Sequence, residues 1–137
     1  MPAPMTAKPI PTITPDMRPF YEAAQRHELR VQRCRGCGAL RFPARAICSD
    51  CLSTDADWVP VSGRGEIYSF NVMHQLYHPG FAAEVPYAVV LVKLEEGPKM
   101  ISNVVGIDAD AVRIGIPVRV VFEALSDEVT LPKFTPA

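Results

Sequence analysis

No run in this chain approaches the roughly 18 consecutive apolar residues of a membrane-spanning helix, although 48% of its 137 residues are hydrophobic. The first fifteen residues hold five prolines and one charge, Lys8, where an export signal would have a basic region and an apolar run. Histidine is scarce, at three, and there is a single tryptophan. No Gly-x-Ser-x-Gly elbow, His-Glu-x-x-His pair or glycine-rich phosphate loop occurs. These absences argue against membrane insertion, export and the commoner hydrolytic and nucleotide-dependent chemistries. The expected compartment is the cytoplasm, where paired cysteines hold metal more often than they form disulfides.

Charge is small in sum and uneven in distribution. The net value is −1, yet residues 1–45 carry eight Lys/Arg against three Asp/Glu, and residues 46–137 carry six against twelve. Arg26, Arg30, Arg33, Arg35, Arg41 and Arg45 fall within one short segment. A basic ribbon beside an acidic body is suited to phosphate groups or to an acidic partner surface, and Arg33, Arg35 and Arg41 are its candidate contacts. A solvated arginine-rich face would look the same.

Turn signals and periodicity divide the chain into three parts. Residues 1–13, rich in proline, predict a flexible tail. Residues 14–60 predict a helix and a metal-binding ribbon. Thr14-Pro15 starts the helix, which keeps Pro19 in its first turn and presents Phe20, Ala23 and Ala24 on one face as far as Arg26. Residues 29–33 alternate as a strand, a shorter strand starts at Leu40, and Trp58 covers the seam between ribbon and body.

Residues 61–137 read as five strands. They run from Glu66 to His74, Tyr87 to Leu94, Met100 to Val105, Pro117 to Leu125 and Val129 to Phe134, with one helical turn near Ala109. Tyr68, Phe70 and Val72 are expected on one inward face, and Tyr87–Leu94, apolar on both faces, in a central position. Five strands with a helical piece between the third and fourth follow the order of an OB-fold barrel. The fold class is therefore mainly β: an N-terminal helix, a rubredoxin-like ribbon and a five-stranded barrel.

The four cysteines form a doubled pattern. Cys34-x2-Cys37 and Cys48-x2-Cys51 are separated by ten residues and use every cysteine in the chain. Two thiolates from each of two tight turns supply the tetrahedral sulfur cage of a structural zinc site. One zinc per chain is expected, and iron in a rubredoxin-like site takes the same ligands. Four protein ligands leave no open position for a water or substrate, so the metal serves folding. With its thiols on the metal, the chain offers no free thiol nucleophile. His74 and His78 fall at a strand end and in a loop. That loop also displays Tyr77 and Phe81 beside proline and glycine, the kind of aromatic pair that anchors interfaces.

Several segments in order carry a family resemblance. Arg18-Pro19-Phe20-Tyr21-Glu22-Ala23-Ala24 precedes the first cysteine pair, and Phe42-Pro43 and the second pair follow. Gly63-Arg64-Gly65-Glu66 opens the first barrel strand, and Leu131-Pro132-Lys133-Phe134 closes the last. Over roughly residues 15–136 this resembles the zinc-ribbon/OB-fold family known as domain of unknown function thirty-five. The resemblance implies a companion subunit of thiolase-like acyltransferases or of lipid-transfer-type aldolases and hydratases, including those of steroid side-chain breakdown. It implies a role in completing the complex and shaping a channel for CoA thioesters, with no catalytic residue of its own.

The rival reading is an OB-fold module for single-stranded nucleic acid. Such modules need a positive groove with exposed stacking aromatics. Residues 46–137, which include the barrel, carry −6 and the barrel aromatics are expected in the core, so no nucleic-acid partner is expected.

Overall fold

The computed structural model describes residues 8–137. Of the expected tail, residues 1–7 lie outside the described residues. Residues 8–13 have no secondary structure, and Lys8 forms ion pairs with Glu84 at 2.8 Å and Glu123 at 3.7 Å. A turn from Thr14 leads into helix α1, Arg18–Gln25, with Pro19 in its first turn. Phe20, Ala23 and Ala24 are its buried residues, the one-sided spacing that packs a short helix onto a sheet. His27 follows with its ring stacked on Phe122 at 5.1 Å.

The ribbon is a three-stranded antiparallel sheet in the order β2-β1-β3, with β1 Arg30–Cys34, β2 Leu40–Arg41 and β3 Ala56–Pro60. Trp58 belongs to β3, opposite Gln32, so the run expected as a cover over the seam is itself a ribbon strand. Its half-buried ring packs against the core.

Five strands form the barrel: β4 Arg64–Met73, β5 Tyr87–Leu94, β6 Lys99–Asn103, β7 Pro117–Ala124 and β8 Thr130–Pro136. Their order is β6-β5-β4-β7-β8, all antiparallel, and a parallel bridge between Val104 and Phe134 nearly closes the ring. The Val105 N–H donates to the Phe134 carbonyl at 2.7 Å across that seam. Short 3-10 turns lie at Pro79–Phe81 and Ala109–Ala111. This is the expected mainly β architecture, an OB-fold barrel after a cysteine-bearing ribbon.

Two expectations about facing need correction. In β4 the pairing with β5 shifts between Ile67 and Ser69, a bulge that sets one extra residue against the partner. Ile67 points into the core with no exposure, whereas Tyr68 is 47% exposed and carries the Lys99 ammonium 4.1 Å from its ring centroid. Phe70 and Val72 resume the inward face beyond the bulge, half-buried. In β5, Ala88, Val90, Val92 and Leu94 are buried, while Tyr87, Val89 and Leu91 are only half-buried on the outer side. The strand is interior to the sheet, but one face alone enters the barrel core.

Barrel and ribbon share one apolar cluster. Phe20, Leu29 and Val31 pack with Ile67, Val90, Val92, Leu94, Met100, Val118 and Phe134. Each such side chain contributes about 1.5–3 kcal/mol on full burial. The entry to β4 is tight. Gly63 has φ +80°, and a Cβ there would lie 2.3 Å from Val120 Cγ1; a Cβ on Gly65 would lie 2.5 Å from the Lys93 carbonyl oxygen. Gly65→Ala is therefore expected to destabilise the chain by about 1–3 kcal/mol, the usual cost of overpacking. A shifted urea midpoint with unchanged zinc content would show it. An unchanged midpoint would mean that the β4–β5 pair yields freely.

Candidate metal centre and adjoining cleft

Strand β1 ends on Cys34 and delivers it to a tight turn. The Gly38 N–H donates to the Cys34 carbonyl at 2.9 Å, the Cys34 N–H donates to Ala39, and Gly38 has φ +78°, a conformation glycine adopts without strain. The second turn repeats the arrangement: Leu52 N–H donates to the Cys48 carbonyl at 3.0 Å and Cys48 N–H to Ser53 at 2.9 Å. At Gly36 a Cβ would lie 3.0 Å from Cys51 Sγ. The two turns thus face each other with little space between them.

The four Sγ atoms lie within 4.8 Å of one another. Cys34–Cys51 and Cys37–Cys48 are 3.4 and 3.7 Å apart, too long for a disulfide of about 2.05 Å. A tetrahedron with zinc–sulfur bonds of about 2.3 Å has edges near 3.8 Å, so the donor set fits a four-sulfur metal site. Cys34 and Cys48 are buried and Cys37 and Cys51 exposed. The electrostatics agree with the geometry. The Cys37 N–H, with help from neighbouring thiols, brings Cys34 down to about 6. At Cys51 the Ser53 N–H favours the thiolate, but the hydrogen bond with Cys34 and burial outweigh it and push the thiol up to about 12. Four close thiols resist collecting four negative charges unless a cation shares the cage.

The ribbon arginines fare unevenly. Arg35 is held by Asp57, at 2.7 and 3.0 Å to one carboxylate oxygen, and this pairing lowers the Asp57 pKa. Arg41 donates to Gln32 Oε1 at 2.8 Å and to the Arg45 carbonyl at 3.0 Å, while its Nη1 is buried without a partner. Arg33 is exposed beside the first cysteine turn. The six basic charges therefore do not form one open surface, a neutralisation that charge counting along the chain does not report.

In the loop after β4, Tyr77 is 71% exposed and Leu76 46% exposed. Phe81 instead turns back onto the barrel and stacks on Tyr87 at 5.5 Å between centroids. His78 Nδ1 accepts the Gly80 N–H at 2.9 Å, so this histidine caps the 3-10 turn. Beneath Phe81 opens a cleft of about 390 Å³ between α1, Phe42 of the ribbon and the outer side of β5, β6 and β8. Its lining comes from positions scattered between Met17 and Lys133. No motif announces such a site; the one signal was the closing Leu131-Pro132-Lys133 segment, which forms part of its wall. Among the described residues no helix is long and apolar enough to cross a membrane.

Comparison with known proteins gives this arrangement its relatives. Residues 22–57 match the ChsH2 rubredoxin-like zinc ribbon domain, and residues 58–123 match the ChsH2 C-terminal OB-fold domain. A probable enoyl-CoA hydratase alpha subunit of Thermomonospora curvata is 42% identical over 98% of this chain and 41% of its own length. The chain thus spans about two fifths of that relative. A DUF35 domain-containing scaffold protein of Methanothermobacter thermautotrophicus is 33% identical over 85% of this chain and 87% of its own. The benzoylsuccinyl-CoA thiolase subunit BbsA of Geobacter metallireducens is 33% identical over 57% of this chain and 51% of its own. Among solved structures, one described as an Ltp2-ChsH2(DUF35) aldolase superposes with a TM-score of 0.85 at 42% identity, covering 93% of this chain and 98% of that one.

Proposed function

The chain belongs to the DUF35 family, and from that premise we propose that it is a non-catalytic subunit of a thiolase-like enzyme acting on CoA thioesters. The observation that carries the reading is the sulfur cage. All four thiols of the chain converge on one closed cluster, so its most reactive side chains are spent on structure. Relatives named as subunits of a hydratase and a thiolase, and a solved aldolase complex, support a partner of this kind.

The metal is zinc, one per chain, held by Cys34, Cys37, Cys48 and Cys51 as a purely structural ion. It ties the two cysteine turns together and takes no part in proton or acyl transfer. The partner supplies the nucleophile. This chain supplies a rigid surface at the barrel mouth and ribbon, with Tyr77 as the leading anchor, Phe81 behind it and Arg33 the ribbon cation most open to a CoA phosphate; Arg35 and Arg41 act through the ribbon they brace. A lipid-transfer-type partner in steroid side-chain breakdown is one form of this reading.

Co-purification with a thiolase-like enzyme chain is the test. The purified chain alone is expected to turn over no acyl-CoA, and any sustained hydrolysis or condensation by it overturns the reading. Tyr77→Ala is expected to weaken the complex by about 1–3 kcal/mol, as loss of an aromatic anchor does. Its zinc content and melting should stay those of the parent, because the ring is 71% exposed. Unchanged affinity would place the interface elsewhere.

A further inference from the structure

The loop of residues 75–86 carries the exposed Tyr77, yet little ties it to the rest of the chain. Its turn is knit internally. The Phe81 and Ala82 N–H groups donate to the His78 and Pro79 carbonyls at 3.0 and 3.1 Å, and the Glu84 and Val85 N–H groups both donate to the Phe81 carbonyl. Among the described residues, one hydrogen bond leaves this loop, from Lys8 Nζ to Glu84 Oε1 at 2.8 Å.

The surroundings of Lys8 suit it to that single tie. Its ammonium also lies 3.7 Å from Glu123 of β7 and 5.8 Å from the Phe81 ring centroid, so it touches loop and barrel at once. The hydrogen bond to Glu84 raises the Lys8 pKa above the ordinary lysine value, and the side chain stays charged at neutral pH. Glu123 is a fixed anchor, because its other oxygen meets the buried Lys133 at 3.1 Å. Behind Lys8 the chain is stiff and fastened. Pro9 and Pro11 fix their φ angles, residues 10–13 border the same groove as residues 126–129, and α1 follows.

We propose that residues 8–13 form a strap with Lys8 as its clasp, holding the loop of residues 75–86 shut against β7 and releasing it when Lys8 lets go of Glu84. The Glu84 carboxylate drives the opening. Its Oε2 is buried without a partner, so among the described residues Lys8 is all that compensates the charge in the closed position. Without that ammonium, the half-buried carboxylate gains by carrying its turn out into water. The clasp thereby sets where Tyr77 and Phe81 stand. The inference rests on these contacts and not on the subunit reading.

The test is residue-resolved amide hydrogen exchange on the full zinc-loaded chain. In Lys8→Met the amides of Phe81, Ala82, Glu84 and Val85 are expected to exchange at least about tenfold faster, while those of β5 keep the parent rate. Lys8→Glu, which sets a third carboxylate beside two, should loosen the same four amides at least as much. Lys8→Arg should keep them at the parent rate, since it keeps the charge. Loop exchange in Lys8→Met equal to that of the parent would overturn the proposal. So would equal loosening by Lys8→Arg and Lys8→Met, which would make the contact one of shape. Faster exchange in β5 to the same degree as in the loop would also overturn it, because the ion pair would then support the whole barrel and not a strap.

Discussion

Cys48→Ser is expected to empty the metal site and unfold the ribbon. Structural zinc contributes about 10–16 kcal/mol of binding free energy in isolated modules, and that energy is folding energy. The ribbon has little to set in its place, since Leu29, Val31, Cys34 and Cys48 are nearly all that it buries. Cys48 is also enclosed by its own turn, accepting the Asp50 N–H at 3.4 Å while its backbone engages Ser53 and Leu52. Metal analysis of the parent, purified without added zinc, should give close to one zinc per chain and no iron. The variant should give far less zinc, with a changed far-UV spectrum. Equal zinc and equal melting would show that the cage is dispensable, and a stoichiometric iron content would replace zinc by a rubredoxin-type centre.

The second large effect is expected at Phe134. Its ring has no exposure, and its backbone makes the bridge to Val104 and accepts the Val105 N–H that nearly closes the barrel. Phe134→Ala should cost about 3–5 kcal/mol, a large part of the roughly 5–15 kcal/mol that holds a domain folded. Ile101→Ala, on the neighbouring seam strand but 72% exposed, should stay within about 0.5 kcal/mol and serves as the control. A loss at Phe134 no greater than that of the control would mean that the seam contributes nothing to barrel stability.

The parts of the fold that sequence revealed were those written in local chemistry. The doubled Cys-x2-Cys pattern depends on turns only a few residues long, and the structure brings its four sulfurs together as spacing required. The apolar run along β5 and the alternation along β7 marked barrel strands, and Pro19 marked the first turn of α1. What stayed hidden depends on neighbours distant in the chain. Ala56–Pro60 is a strand because β1 pairs with it, not because its residues alternate strongly. Tyr68 points outward because a bulge adds one residue to the count, and periodicity assumes that none is added. Lys133 was expected only as part of the last strand, and its burial depends on α1, which packs on β8. The neutralised arginines belong with these: Arg35, just past the end of β1, meets Asp57 of β3, which a tally of charge along the chain does not see.

Strand β3 runs from Ala56 to Pro60 and pairs residue for residue with β1, so the line between the two matched domains, at 57 and 58, falls inside a strand. A gene fragment cut there would encode a barrel trailing half of another sheet's hydrogen bonds and a ribbon missing them. Units that are recognisable in heredity need not be units that can live apart. Here the two modules travel as one, and recombination that swaps either must carry Ala56–Pro60 with the ribbon whose edge it completes.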